Sequence, residues 1–262
     1  MDNRPIGIFD SGVGGLSILL EIQKLLPRET IIFVADQSFV PYGGKTKEQL
    51  LERVIKIIEF LRKKNVKAVI MACNTATVYT VEEMRQKFQM PIIGTVPVIK
   101  TIASISKTKK TAVFSTPATA QSTYLDGLIN KFAGGMEVTK VGGTGLEELV
   151  EEGELDSPEI NAILQKELLP LVASGVDAIA LGCTHYPFLR TNIEKIVGKG
   201  VTVVDSGGAV SRRVKEVLTN NDGLSEQKGQ GEYYTTGEAK KFQRVAEKLM
   251  NAKIPDATHI SL

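Results

Sequence analysis

Cysteine and histidine are rare in this chain: two of each among 262 residues. Cys73 stands in "MACNTAT" and Cys183 in "LGCTHYP", each directly after an apolar run, and His185 follows the second cysteine by two positions. One thiol beside a base is the pattern of a nucleophile. Two thiols permit another chemistry, in which one takes a proton from one face of a stereocentre and the other returns a proton to the opposite face. A thiol can play either part near neutral pH once its pKa falls below the free value of about 8.5. The bland alternative is two buried thiols acting as small hydrophobes. Their spacing predicts neither a disulfide nor a C-x-x-C metal or redox motif.

The elements that must position these residues follow from the apolar pattern. "RPIGIF" reads as a strand ending at Phe9, followed by a glycine-rich turn that begins with Asp10 and Ser11. "LSILLEIQKLLP" carries apolar residues at helical spacing and stops before Pro27. "TIIFVAD" is a second strand, and "TKEQLLERVIKIIEFLRKKN" a helix with Leu50, Val54, Ile57, Ile58 and Leu61 on one face and a charged, solvated face opposite. "VKAVIMACNTAT" is a third strand, and "TVEEMRQKFQ" a helix before "MPIIGTV". This alternation is that of a parallel α/β sheet with helical crossovers.

The pattern then starts again. "TAVFSTPATA" matches "IGIFDSGVGG" in design, and "GVDAIALGCTHYP" matches "NVKAVIMACNTAT". Phe9 precedes Cys73 by 64 positions and Phe114 precedes Cys183 by 69. Agreement in order and spacing predicts an internal duplication. The expected fold is therefore α/β, with two pseudo-symmetric α/β domains, parallel-type sheets and an active site in the cleft between them. Residues 1–95 with 208–262 form the domain carrying Cys73, and residues 96–207 the domain carrying Cys183. "VDSGGAV" carries the chain back to the first domain.

Ligands of open parallel sheets bind at the carboxyl ends of the strands, where both cysteines fall. A polar residue and helix-like sequence follow each, so a helix N-terminus is expected to lower both thiol pKa values. Asp10 and Ser11 are placed to orient an ammonium or a thiol. Asn74, Thr75, Thr116, Thr119 and Thr184 are short donors suited to carboxylates, and Pro41, Tyr42 and Gly43 in the loop "PYGGKT" line the same region. The "GVGG" turn lacks Gly-x-Gly-x-x-Gly spacing and reads as backbone permissiveness. His259 reads as a surface or strand residue, and "NNDGLSEQKGQGE" as a mobile surface loop.

Net charge is +2, from 32 basic and 30 acidic residues. That balance predicts neither a nucleic-acid nor a membrane partner. The apolar runs are too short to span a bilayer, and the start lacks the apolar core of a signal peptide, so a cytoplasmic location is expected. Two rival functions remain. One is a zinc hydrolase with Cys73, Cys183 and His185 as ligands. The other is a binding module that closes on an amino acid with inert thiols.

The segments "FDSGVGGLS", "VPYGGKT", "ACNTAT", "LGCTHYPFL", "VVDSGGAV" and "YYTTG" resemble, in order and over nearly the whole chain, the signatures of the cofactor-independent glutamate racemases. The resemblance implies an isomerase that interconverts L- and D-glutamate, without cofactor or metal, to supply D-glutamate for peptidoglycan. It implies a cytoplasmic homodimer whose partner is the small-molecule substrate. Cys73 would take the proton from D-glutamate and Cys183 from L-glutamate. Asp10 would assist Cys73, and His185 with Glu151, adjacent to Glu152, would assist Cys183. Asp10, Ser11, Pro41, Tyr42, Gly43, Asn74, Thr75, Thr116, Thr119 and Thr184 would bind substrate. The chain departs from the family pattern at Ala76-Thr77, in "ADQSFVPYG" and "IIGTVPVIKTIA", and in "GTGLEELVEEG", which lacks the family's prolines. A close relative, an aspartate racemase, would use the same two thiols.

Overall fold

A computed structural model describes residues 1–227 and 229–262. Short runs of buried β-branched residues form its strands, and amphipathic stretches connect them as helices. The chain opens with β1 (Ile6–Asp10), α1 (Leu16–Leu25), β2 (Ile31–Ala35), α2 (Lys47–Lys63), β3 (Ala68–Met71), α3 (Asn74–Lys87) and β4 (Ile92–Gly94). It continues through α4 (Ile99–Ile105), β5 (Lys110–Ser115), α5 (Pro117–Ala120), α6 (Thr123–Phe132), β6 (Glu137–Gly142) and α7 (Leu146–Glu151). Then come α8 (Pro158–Ala173), β7 (Ala178–Gly182), α9 (Arg190–Val197) and β8 (Thr202–Val204). The C-terminal part holds α10 (Gly207–Asn220), β9 (Glu232–Thr235), α11 (Ala239–Met250) and β10 (Thr258–His259).

Two compact units result: Met1–Thr95 with Gly207–Leu262, and Val96–Ser206. Gly207 begins α10 and so goes with the first unit, one residue earlier than the sequence boundary. The first unit has a six-stranded sheet in the order β10-β9-β2-β1-β3-β4, and the second a four-stranded sheet ordered β6-β5-β7-β8. All strand pairs in both are parallel. Strands β1 to β4 and β5 to β8 thus repeat one order, β2-β1-β3-β4 and β6-β5-β7-β8.

In the first unit β1, β2 and β3 are buried on both faces, as parallel strands covered by helices require. Helix α2 begins with a capping box from Thr46 and Gln49 and buries Leu50, Val54, Ile57, Ile58 and Leu61. Its charged face is not all solvated, because Arg53 turns inward to Asp36 with only 11% of its side chain exposed. Ser225, in the stretch read as a mobile loop, is buried, and its N–H donates to Glu29 Oε1 at 2.9 Å. Lys228 of that stretch lies outside the described residues. His259 lies exposed in β10 with Nδ1 2.8 Å from the Gly237 carbonyl. The second unit packs Ile99, Ile102, Val113, Leu125, Ala178 and Ala180 into its core between the sheet and helices α4 and α6.

Candidate active site

In the first unit the chain leaves β1 for β2 on one side and then crosses to β3 on the other. The carboxyl ends of β1 and β3 therefore form a topological switch point, where the crossovers diverge and leave a crevice. Asp10 and Ser11 lie at the first of these ends and Cys73 just past the second, with the Ala72 N–H bonded to the Phe9 carbonyl at 2.8 Å. Cys73 is the N-cap of α3: its Sγ accepts from the Ala76 N–H at 3.5 Å and lies 3.7 Å from Ser11 Oγ. The helix begins at Asn74, well before the sequence-predicted start at Thr80, so backbone donors and the positive end of the helix dipole favour negative charge on this sulfur.

Asp10 is wholly buried, and its Oδ2 accepts from the backbone N–H groups of Gly12 (3.2 Å) and Gly15 (2.9 Å). A Cβ on Gly15 would stand 2.5 Å from the Asp10 Cβ, so only glycine lets the turn close over the carboxylate. Asn74 and Thr75 are buried in the first turn of α3, and Asn74 Oδ1 is a buried acceptor with no hydrogen-bond partner. Pro41 and Gly43 are exposed, whereas Tyr42 between them is buried and donates to Asp36 Oδ2 at 2.7 Å. Burial, then the Asp36 charge, push the Tyr42 hydroxyl well above its usual pKa, and the Cys73 sulfur adds to the effect.

Sequence reading passed over Asp36. It is buried, paired with Arg53 at 2.5 and 2.8 Å, and accepts from Thr236 at 2.9 Å. Its only sequence signal was an acidic residue directly after a buried strand.

The second unit builds its own switch point between β5 and β7. Thr116, the N-cap of α5, accepts from the Thr119 N–H at 3.1 Å, and both threonines are buried. Cys183 and Thr184 follow β7 and are buried. Unlike Cys73, Cys183 is not a helix N-cap. A bend and the 3-10 turn Tyr186–Leu189 follow it, and α9 starts only at Arg190. The expected helix N-terminus is absent here because Pro187 and the packing of Tyr186 on Phe114, ring centroids 4.5 Å apart, occupy that stretch.

Side chains surround this sulfur instead. Cys183 Sγ lies 3.6 Å from His185 Nδ1, and His185 Nε2 lies 2.7 Å from Glu151 Oε1. Of the two adjacent glutamates, Glu151 is the one on His185, while Glu152 is exposed. A carboxylate absent from the sequence-derived set, Glu147, accepts from Cys183 Sγ at 3.9 Å.

Charges follow from this arrangement. Burial, followed by the Glu147 charge, pushes the Cys183 thiol up to about 11, opposed by His185. The lowered thiol pKa expected from sequence therefore does not hold for Cys183. Burial works against the His185 cation, yet hydrogen bonds to Cys183 and Glu151 and their charges raise it well above its usual value. Among the described residues no three His, Cys, Asp or Glu side chains are arranged to hold a metal ion. No helix among them is long and apolar enough to cross a membrane.

Two like-ordered parallel sheets, each bringing a buried thiol to its switch point amid short polar donors, define an α/β enzyme of the racemase class. The profile of the Asp/Glu/Hydantoin racemase family matches residues 14–214, and the chain belongs to that family. It is an isomerase, an amino-acid racemase. A glutamate racemase of Pseudomonas putida (strain F1) is 39% identical over 245 residues, 93% of this chain and 92% of the relative. Among solved structures, glutamate racemase isoform RacE1 from Bacillus anthracis superposes with a TM-score of 0.91 at 30% identity, covering 100% of this chain and 99% of that one. The glutamate racemase of Francisella tularensis, solved in complex with D-glutamate, gives 0.88 at 29% identity, with 100% and 98% covered.

Proposed function

We propose that this protein interconverts L- and D-glutamate by proton transfer at Cα, with Cys73 and Cys183 as the two bases and no cofactor. The observation that carries this reading is the pair of strand-end thiols, each with its own set of polar partners, in a chain 39% identical to a glutamate racemase. Inversion requires one thiol on either side of Cα. In one direction Cys73, as thiolate, removes the proton of D-glutamate and Cys183, as thiol, protonates the other face. In the reverse direction the roles exchange. Each positioned acid or base is worth about 10²–10⁴ in rate.

Asp10, anchored by the turn it caps, assists at Cys73, and His185 with Glu151 assists at Cys183. An imidazolium beside Cys183 stabilises the thiolate formed when that residue acts as base, and Glu151 keeps the ring oriented and charged. The unpaired Asn74 Oδ1 supports an ammonium-bearing substrate, since a donor there would relieve a buried acceptor worth about 1–3 kcal/mol. Ser11, Tyr42, Thr75, Thr116, Thr119 and Thr184, with the exposed loop residues Pro41 and Gly43, complete the substrate site and hold its carboxylates as charge develops. The working form is a cytoplasmic homodimer that supplies D-glutamate to peptidoglycan.

The test follows optical rotation and Cα deuterium content together in D₂O, with L- and D-glutamate and no added cofactor. Wild type is expected to lose rotation while gaining deuterium, and Cys73→Ser and Cys183→Ser to do so far more slowly. Racemisation of aspartate in place of glutamate would overturn the substrate assignment, and full activity in either variant the two-base mechanism.

A further inference from the structure

Helix α7 presents two carboxylates to one thiol–imidazole pair. Gly145, at φ +88°, launches this helix from a left-handed residue, which a side chain rarely adopts. Glu147 is its second residue and Glu151 its last, an i, i+4 pair that shares a face. Cys183 and His185 stand two residues apart on the facing segment, and the spacings match. Glu151 Oε1 lies 2.7 Å from His185 Nε2, His185 Nδ1 3.6 Å from Cys183 Sγ, and Cys183 Sγ 3.9 Å from Glu147 Oε1. The result is one continuous chain: carboxylate, imidazole, thiol, carboxylate.

We infer that Glu147 is a positioning residue for Cys183: its carboxylate accepts the thiol's hydrogen bond and keeps the proton on sulfur, so that Cys183 rests as an acid. The direction of each hydrogen bond follows. With both ring nitrogens protonated, His185 donates Nε2–H to Glu151 and Nδ1–H to sulfur, which leaves the S–H to donate to Glu147. A thiolate at Cys183 would gain the imidazolium but face the Glu147 charge, and the two effects oppose. The other ionisable groups around this pair are Glu148 on α7, Tyr186 on the 3-10 turn and Glu167 on α8. The carboxylates among them carry negative charge or none, and among the described residues His185 is the cation that acts on Cys183 and Glu147. Burial in turn raises the Glu147 carboxyl above its ordinary range, opposed by His185.

A role for Glu147 in catalysis rests on the two-thiol reading above, but its effect on the Cys183 proton is measurable without turnover. Only two cysteines are present, so Cys73→Ala leaves Cys183 as the single thiol of the full-length protein. The pH dependence of its alkylation, read by mass spectrometry, then reports its ionisation directly. Adding Glu147→Gln is expected to lower the midpoint by about one to two pH units, and so to speed labelling near pH 9 roughly ten- to fiftyfold. Glu147→Asp keeps the charge and is expected to fall between, and Glu148→Gln to leave the midpoint in place. An unmoved midpoint in Glu147→Gln, or a Glu147→Asp midpoint as low as that of Glu147→Gln, would overturn the inference.

In the enzyme with Cys73 intact, Glu147→Gln should also move the alkaline limb of the kcat/KM profile to lower pH. If wild type fails to racemise while the alkylation midpoint moves as stated, the functional reading falls and the assignment of Glu147 stands. If racemisation depends on both thiols and the midpoint stays fixed, the reverse holds.

Discussion

Replacing Glu151 with Gln tests the second thiol's support at its carboxylate–imidazole contact. The His185–Glu151 pair is 4% and 12% exposed, with a separation of 2.7 Å. Burial alone would drive His185 toward the neutral ring, so its cation depends on its two partners. Glutamine keeps an oxygen to accept from Nε2 but removes the charge. A charge-assisted hydrogen bond in such a place contributes about 1.5–3 kcal/mol. At 1.36 kcal/mol per pH unit, the His185 midpoint should fall by roughly one to two units. Cys183 then loses part of its cationic neighbour, and kcat/KM near neutral pH should fall roughly ten- to hundredfold. Enantiomers are equal in free energy, so the fall must be the same starting from L- or D-glutamate. Proton NMR can follow the effect cleanly, because His185 and His259 are the only imidazoles and a His259→Gln variant assigns them. An unchanged or raised His185 midpoint in Glu151→Gln, with folding intact, would refute the reasoning.

Three further outcomes are expected. A free cysteine thiol ionises at about 8.5, whereas that of Cys183 ionises at about 11 in the fold, so the folded state binds its proton more tightly. Stability should therefore decline as pH rises from about 9 through about 11, by about 3 kcal/mol in all once the folded thiol has ionised. Urea midpoints across that range should fall more steeply in wild type than in Cys183→Ser, where the buried tyrosines Tyr42 and Tyr186 still contribute a decline of their own. A methyl group at Gly15 would sit 2.5 Å from the Asp10 Cβ, so Gly15→Ala should destabilise by about 1–3 kcal/mol and displace the Asp10 carboxylate. Calorimetry and kcat should fall together, and a fully active, equally stable variant would contradict the packing described. Exhaustive dialysis against a chelator should leave racemisation unchanged, whereas loss restored by zinc would revive the hydrolase-type metal site.

Read alone, the sequence reaches far into this protein because its signals are local. Buried parallel strands must be short apolar runs, crossover helices must be amphipathic, and the five inward residues of α2 follow from period 3.6 alone. Duplication likewise shows as a repeated run of strand, small polar residues and strand-end cysteine. The chemistry at Cys183 was not local. "GLEELVEEG" holds four glutamates, and apart from the family resemblance that points to Glu151, nothing in their order distinguishes those that reach the thiol–imidazole pair from those that face water. Folding chose Glu147 and Glu151, because a short helix launched from Gly145 sets their phase against residues some thirty-five positions later. Arg53 and Asp36 make the same point. Each reads as an ordinary surface charge until α2 packs beside the end of β2 and buries them as a pair. Even the sign of the Cys183 shift was a tertiary outcome. Burial and a carboxylate brought from another element outweighed the nearby imidazole, while Cys73 was given a helix N-terminus by its own next residues.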